Sequence, residues 1–221
     1  MKLTFKDLLR VNQLGALVDI PEGKHIGWSE EGWLELQDDL QPKPVTERIK
    51  TFDDALNELA EREAHGETEA QMILESYESV KQVQEEDTDL MTYMQLRIII
   101  CALNEGWTPQ FIENERRWYP YFCLWTEDEL KDKSDEWKDD HQLLRWGGGA
   151  GGVAYSASSC DWSITNASIG YRLAYKTEAL ATYAGRTFAP VYARFFLGDK
   201  AKGLKPWREV EGKEEPADEE E

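Results

Sequence analysis

Apolar positions recur at helical intervals through the first half of the chain and turn to strand-like alternation in the second, so a helical part is expected to precede a part with strands. Residues 1–20 space Phe5, Leu8 and Leu9, then Leu14, Leu17 and Val18, as short helical pieces punctuated by Gly15 and Pro21. Residues 21–45 read as loop around Trp28 and Trp33, with the breaker QPKP at the end. Thr51 has the character of an N-cap, and Phe52, Ala55, Leu56 and Leu59 follow at i, i+3, i+4 and i+7 until Gly66 stops the pattern. A second amphipathic helix is predicted near 68–82, with Ala70, Ile73, Leu74, Tyr77 and Val80 on one side. From Leu90 to Leu103 the chain is apolar nearly all round, which predicts a buried central helix ended by Gly106, with Pro109 beyond.

The second half begins with RRWYPYFCLW, whose aromatic residues occupy both alternation phases, as in a strand covered on both faces with Pro120 at its start or edge. Thr126 and Glu129 form a capping-box pattern that launches a short charged helix. ASIGYRLAYK alternates well, with Ala167, Ile169, Tyr171, Leu173 and Tyr175 in one phase, and predicts a strand. GVAYSASS is its expected partner, joined through SSCD, with a register shift near Thr165 and Asn166. Thr177 caps a helix that runs to Gly198 with a break at Gly185 and Pro190. The fold class expected is α+β: a helical N-terminal part packed on a small, mostly antiparallel sheet, with a C-terminal helix and a disordered acidic tail. The expected division is 1–45 as an arm and loop, 46–198 as one core domain and 199–221 as a polar tail.

Charge sharpens this division. The 221 residues carry a net −19, concentrated in 51–90, where thirteen acids face only Arg62 and Lys81. Residues 142–208 run the other way, with Asp161, Glu178 and Asp199 against nine Lys or Arg. An acidic chain of this kind repels nucleic acid, which is therefore not an expected partner. The apolar residues of the first twenty positions are broken by Lys6, Asp7, Arg10 and Asp19, and the longest apolar run, Ile98 to Leu103, is too short to span a bilayer, so neither a secretory segment nor a membrane span is expected. Cys101, Cys123 and Cys160 are odd in number and far apart, which argues against a disulfide framework and a cysteine zinc site and fits a reducing compartment.

The glycine run GGGAGG, residues 147–152, is followed by Val153 and Ala154 where a phosphate-binding loop needs Lys and Ser or Thr, and by a strand where a dinucleotide fold needs a helix. The plain reading is a turn that uses positive φ and close backbone approach beside Trp146 and Trp162. Cys160 and His141 are not brought together by any spacing, EEDTD lacks the glycine and closing glutamate of a calcium loop, and no cofactor or metal is expected. The remaining chemistry is aromatic and small-polar, as in paratopes and sugar-binding surfaces. The candidate ligand-binding residues are Trp146, Tyr155, Trp162, Asn166, Arg172 and Lys176, with Tyr171 and Tyr175 assigned to the core; a protein or glycan partner is the class this composition suits.

The succession ALNEGWTPQF, WYPYF, LRWGGGAGG and WSITNASIGYRLAYKTEALATYAGRTF resembles an uncharacterised family of proteins encoded by phages and prophages of gut Bacteroidetes, over roughly residues 46–197. The tryptophan-glycine-glycine opening and the GYRL segment are also similar, more faintly, to C-type-lectin-like domains, although a long helix follows GYRL here. The resemblance implies a phage or prophage setting and carries over no activity. The expectation is a non-enzymatic protein of the bacterial host cytoplasm or the virion, a virion component or ligand-binding accessory working through its aromatic, glycine-rich C-terminal section. The alternative is an acidic, host-directed protein whose surface occupies a basic or nucleic-acid-binding host partner.

Overall fold

The computed structural model describes residues 24–29, 34–38, 43–83, 89–110, 112–162 and 171–212. The chain forms two compact units, 1–43 and 44–221. In the first, β1 (Lys24–Trp28) and β2 (Leu34–Asp38) pair antiparallel with Ile26 opposite Leu36. A hairpin therefore stands where a loop was expected across 21–45. Ile26 and Trp28, then Leu34 and Leu36, do alternate, but over runs of only five residues that are easily overlooked. The helical spacing of residues 1–20 lies outside the described residues.

The second unit begins with α1 (Val45–Arg48), α2 (Phe52–Ala64) and α3 (Thr68–Val83). The capping box at α2 is complete: the Thr51 hydroxyl accepts from Asp54 N–H at 3.1 Å, and the Asp54 carboxylate accepts from Thr51 N–H at 2.8 Å. Both helices set their apolar stripes, including Ala55, Leu59, Ala70 and Ile73, on α4 (Asp89–Asn104). α4 is buried on every side from Leu96 to Asn104 except at Arg97, as its composition requires.

All pairings in the four-stranded sheet are antiparallel, in the order β3–β5–β4–β6. Its strands are β3 (Arg116–Trp125), β4 (Leu144–Arg145), β5 (Gly152–Trp162) and β6 (Lys205–Pro206). Two short capped helices, α5 (Glu127–Lys131) and α6 (Asp135–Asp140), join β3 to β4, the first through the expected Thr126–Glu129 capping box. α7 (Glu178–Thr187) packs on β3 and β5, and α8 (Ala189–Leu197) packs on α4, so these two helices join the sheet to the helical layer. The α+β class holds. Among the described residues, no helix is long and apolar enough to cross a membrane.

Several strand expectations are corrected. SSCD is not a turn but part of β5, an eleven-residue strand whose long partner is β3. ASIGYRLAYK is not a strand where it is described: Tyr171–Leu173 is a 3₁₀ turn, and only Tyr175 pairs, in one bridge to Trp118. The reason lies on β3, an edge strand there. Two residues past Trp118 stands Pro120, which has no N–H to extend that ladder. The closing helix divides at Phe188 with Pro190 in the first turn of α8. Gly185 remains helical, and its missing side chain lets α7 approach β5 closely, since a Cβ there would meet the Tyr155 ring at 2.5 Å. The expectation of a tail from 199 is corrected over its first part. Residues 198–212 form a 3₁₀ turn, β6 and α9 (Trp207–Glu211), held by burial of Trp207, while 213–221 lie outside the described residues.

Candidate functional site

The glycine run is the turn between β4 and β5. Gly151 has φ +83°, and a Cβ there would lie 2.2 Å from the Trp125 carbonyl oxygen, so the backbone approaches too closely for a side chain. Trp146 follows β4, and its N–H bonds to Gly151 O at 3.2 Å. Trp162 ends β5 opposite Arg116, about 30 Å away by strand rise. The two tryptophans therefore do not flank one surface.

The other candidates are dispersed as well. Tyr155 is buried, and its hydroxyl joins those of Ser158 and Thr182, each within 3.1 Å of the next. The Trp146 indole donates to Lys200 O at 2.8 Å and so anchors the 198–201 turn. Lys176 pairs with Glu105 at 2.9 Å. Asn166 lies outside the described residues, and so does the side chain of Trp162. Tyr175 is in the core as expected, whereas Tyr171 is 40% exposed. Of the six candidates, Arg172 alone faces a described cleft that also gathers cationic and aromatic groups.

That cleft lies between α3, the end of α4 and the 171–174 turn, with Glu69, Arg97, Asn104, Trp107, Tyr171 and Arg172 in its walls. Its volume of about 30 Å³ suits one or two waters or a group such as a carboxylate, with the rings of Trp107 and Tyr171 available beside it. Asn104 fixes the wall: its amide donates to Ala174 O at 2.8 Å, and its carbonyl oxygen accepts from Lys176 N–H at 3.1 Å. The Arg172 guanidinium sits 5.3 Å from the Tyr171 ring centre, and the neighbouring Tyr171 phenol, with Tyr93 beside it, raises its already high pKa. Arg97 has no hydrogen-bond partner among the described residues, although Glu69 lies within its electrostatic reach. Burial lifts the Glu69 carboxyl above its ordinary value, and Arg97 pulls the other way.

The one thiol lining the cleft, Cys101, is held protonated. Burial pushes the Cys101 thiol up to about 11, so little thiolate exists at neutral pH. His141 stacks on Trp137 at 4.3 Å, and its backbone carbonyl receives Tyr155 N–H. Cys160 stands five residues further along β5, roughly 17 Å away by strand rise, so the two form no dyad. Among the described residues, no group of three or more His, Cys, Asp or Glu side chains is placed to hold a metal ion.

Sequence reasoning missed Arg97, Asn104 and Trp107. A signal for the first existed: Arg97 is the one cation in the otherwise apolar stretch from Leu90 to Leu103. No protein-family model, curated protein or solved structure matches this chain.

Proposed function

We propose that the chain is a non-enzymatic, phage- or prophage-associated binding protein, a virion component or ligand-binding accessory, whose cleft takes the carboxylate of an acidic glycan. The observation that carries this reading is the meeting of Arg97 and Arg172 with Trp107 and Tyr171 in one cleft. Guanidinium groups match carboxylates in a two-pronged geometry, and flat aromatic faces cover the apolar face of a sugar ring. Calorimetric titration with uronate- or sialate-bearing oligosaccharides against their neutral counterparts tests it. Arg172→Ala and Trp107→Ala are expected to weaken acidic-glycan binding at least tenfold with unchanged melting. Equal binding of neutral sugars, or none of acidic ones, would overturn the reading. Mass spectrometry of purified particles against host lysate tests the setting, with enrichment in particles expected for a virion component.

One observation favours the acidic, host-directed alternative. Asp53, Glu61, Glu63, Glu75 and Glu78 are exposed on α2 and α3, where Lys81 is the only exposed Lys or Arg. Such a face attracts a basic partner through a field that salt screens. Capture of a host protein that is lost at high salt and on neutralising these acids would support it; capture that survives both would exclude it.

A further inference from the structure

One wall of the cleft that holds Arg97 and Arg172 carries a carboxylate of its own. Glu69 stands in the first turn of α3, next to the fully buried Ala70, so the packing of α3 on α4 carries it into that wall. It is half-buried there, whereas Glu75 and Glu78 further along the same helix are exposed. Neither Glu69 nor Arg97 makes a hydrogen bond or a close ion pair among the described residues. Their charges therefore act on each other across the space that a ligand carboxylate would enter. That space, about 30 Å³, has room for one such group, so an incoming carboxylate arrives against Glu69.

The groups that face Glu69 come from every neighbouring element. From α2, Arg62 is already engaged: it grips Glu67, just before α3, and donates to the Cys101 carbonyl at 2.8 Å. From α4, Arg97 attracts Glu69, while the Cys101 thiol stays protonated. Arg172 and Tyr171 stand in the wall formed by the 171–174 turn. Burial is the strongest influence on the Glu69 carboxyl and lifts it above the ordinary 4.5, with Glu67 adding repulsion. Glu67 itself is held below that value by Arg62. As pH falls, Glu69 therefore takes up its proton before Glu67 does. A sugar carboxyl beside an electron-withdrawing oxygen titrates lower, at about 3.3–3.7 as α-carboxyls do, and is still charged when Glu69 is neutral.

We propose that Glu69 is a built-in gate on this cleft, which takes acidic glycans more tightly in mildly acidic surroundings than at neutral pH. Ionised, Glu69 offsets the charge of Arg97 and repels the incoming sugar carboxylate. Protonated, it leaves Arg97 to the ligand and offers an O–H that a carboxylate oxygen can accept. The gate rests on the acidic-glycan reading of the cleft and adds its regulation. By linkage, the same ligand raises the affinity of Glu69 for its proton.

The test uses the full chain with uronate- and sialate-bearing oligosaccharides. Calorimetric titration is expected to show affinity rising at least about fivefold from about pH 7 to about pH 5. Glu69→Gln keeps the size and loses the charge, so it should bind at neutral pH as tightly as the unchanged chain does in acid, with no pH dependence left. Glu78→Gln removes the same charge from the exposed part of the same helix and should keep the full dependence, which separates the gate from the general field of an acidic protein. Equal binding at both pH values, a Glu69→Gln chain that keeps the dependence, or a Glu78→Gln chain that loses it overturns the gate and leaves the acidic-glycan reading standing. Absence of binding by all three chains at both pH values overturns that reading, and the gate with it. Carboxyl NMR of Glu69 needs no ligand: Arg97→Gln should move its titration to higher pH, and an unmoved titration overturns the gate.

Discussion

Asn104, at the last position of the central helix, accepts through its side-chain oxygen from the backbone N–H of Lys176 at 3.1 Å, while its amide nitrogen donates to the carbonyl of Ala174 at 2.8 Å. A buried side chain thus pairs with a passing backbone much as a neighbouring strand would. Asn104→Ala strands one donor and one acceptor, and is expected to cost about 2–3 kcal/mol, read from urea unfolding. Since this clamp also positions Arg172, weaker acidic-glycan binding should accompany the loss. Asn104→Asp retains the acceptor but sets an oxygen against Ala174 O, so it should not restore stability.

Tyr175 and Tyr192 bring their hydroxyls to 2.7 Å deep in the core. Either change to Phe leaves one buried hydroxyl without this partner and should cost about 1–2 kcal/mol, whereas the double change should cost less than the two single ones added. Burial raises both phenols above their ordinary value of 10. The folded state therefore holds these protons more tightly, so stability is fully present below about pH 10 and falls above it as the unfolded chain ionises first. The double Phe variant should flatten that alkaline fall.

The glycine run should tolerate substitution unevenly. At Gly148 a Cβ has open space and only the positive φ of +76° resists, so Gly148→Ala should cost about 1 kcal/mol. At Gly151 the same atom would lie 2.2 Å from a backbone oxygen, and Gly151→Ala should cost about 3 kcal/mol or more. Melting temperatures of the two variants measure the difference. Equal losses would mean that φ alone selects these glycines.

Acid should loosen the helical layer through two carboxylates. Hydrogen bonds from Arg62 hold Glu67 below the ordinary glutamate value of 4.5, and those from Lys176, helped by Arg48, do the same for Glu105. A lowered pKa contributes stability above the unfolded-state value that is lost as pH falls through the folded one. Unfolding midpoints in urea should therefore be flat from neutrality to about pH 5 with respect to these groups and decline below it. Glu67→Gln should remove part of the decline.

What the sequence determined by itself is what local chemistry encodes. Thr51, Thr126 and Thr177 are caps because a short hydroxyl satisfies the open N–H groups of a helix start, and that needs only residues three positions away. The burial of α4 and the α+β class follow from composition and period in the same way. Pairing and proximity were decided only by the tertiary structure. GYRLAYK carries a strand pattern, yet beyond Trp118 the free edge of β3 meets Pro120, and no signal within the segment reports that. Trp207 sits in a charged, polar stretch, and only the apolar pocket of Leu130, Leu143 and Ala154 makes it a core residue. The cleft unites Arg97 with Arg172, seventy-five positions apart, through the Asn104 clamp. Caps and periods are short-range and can be read along a chain, whereas a binding site depends on which distant surfaces the packing brings together.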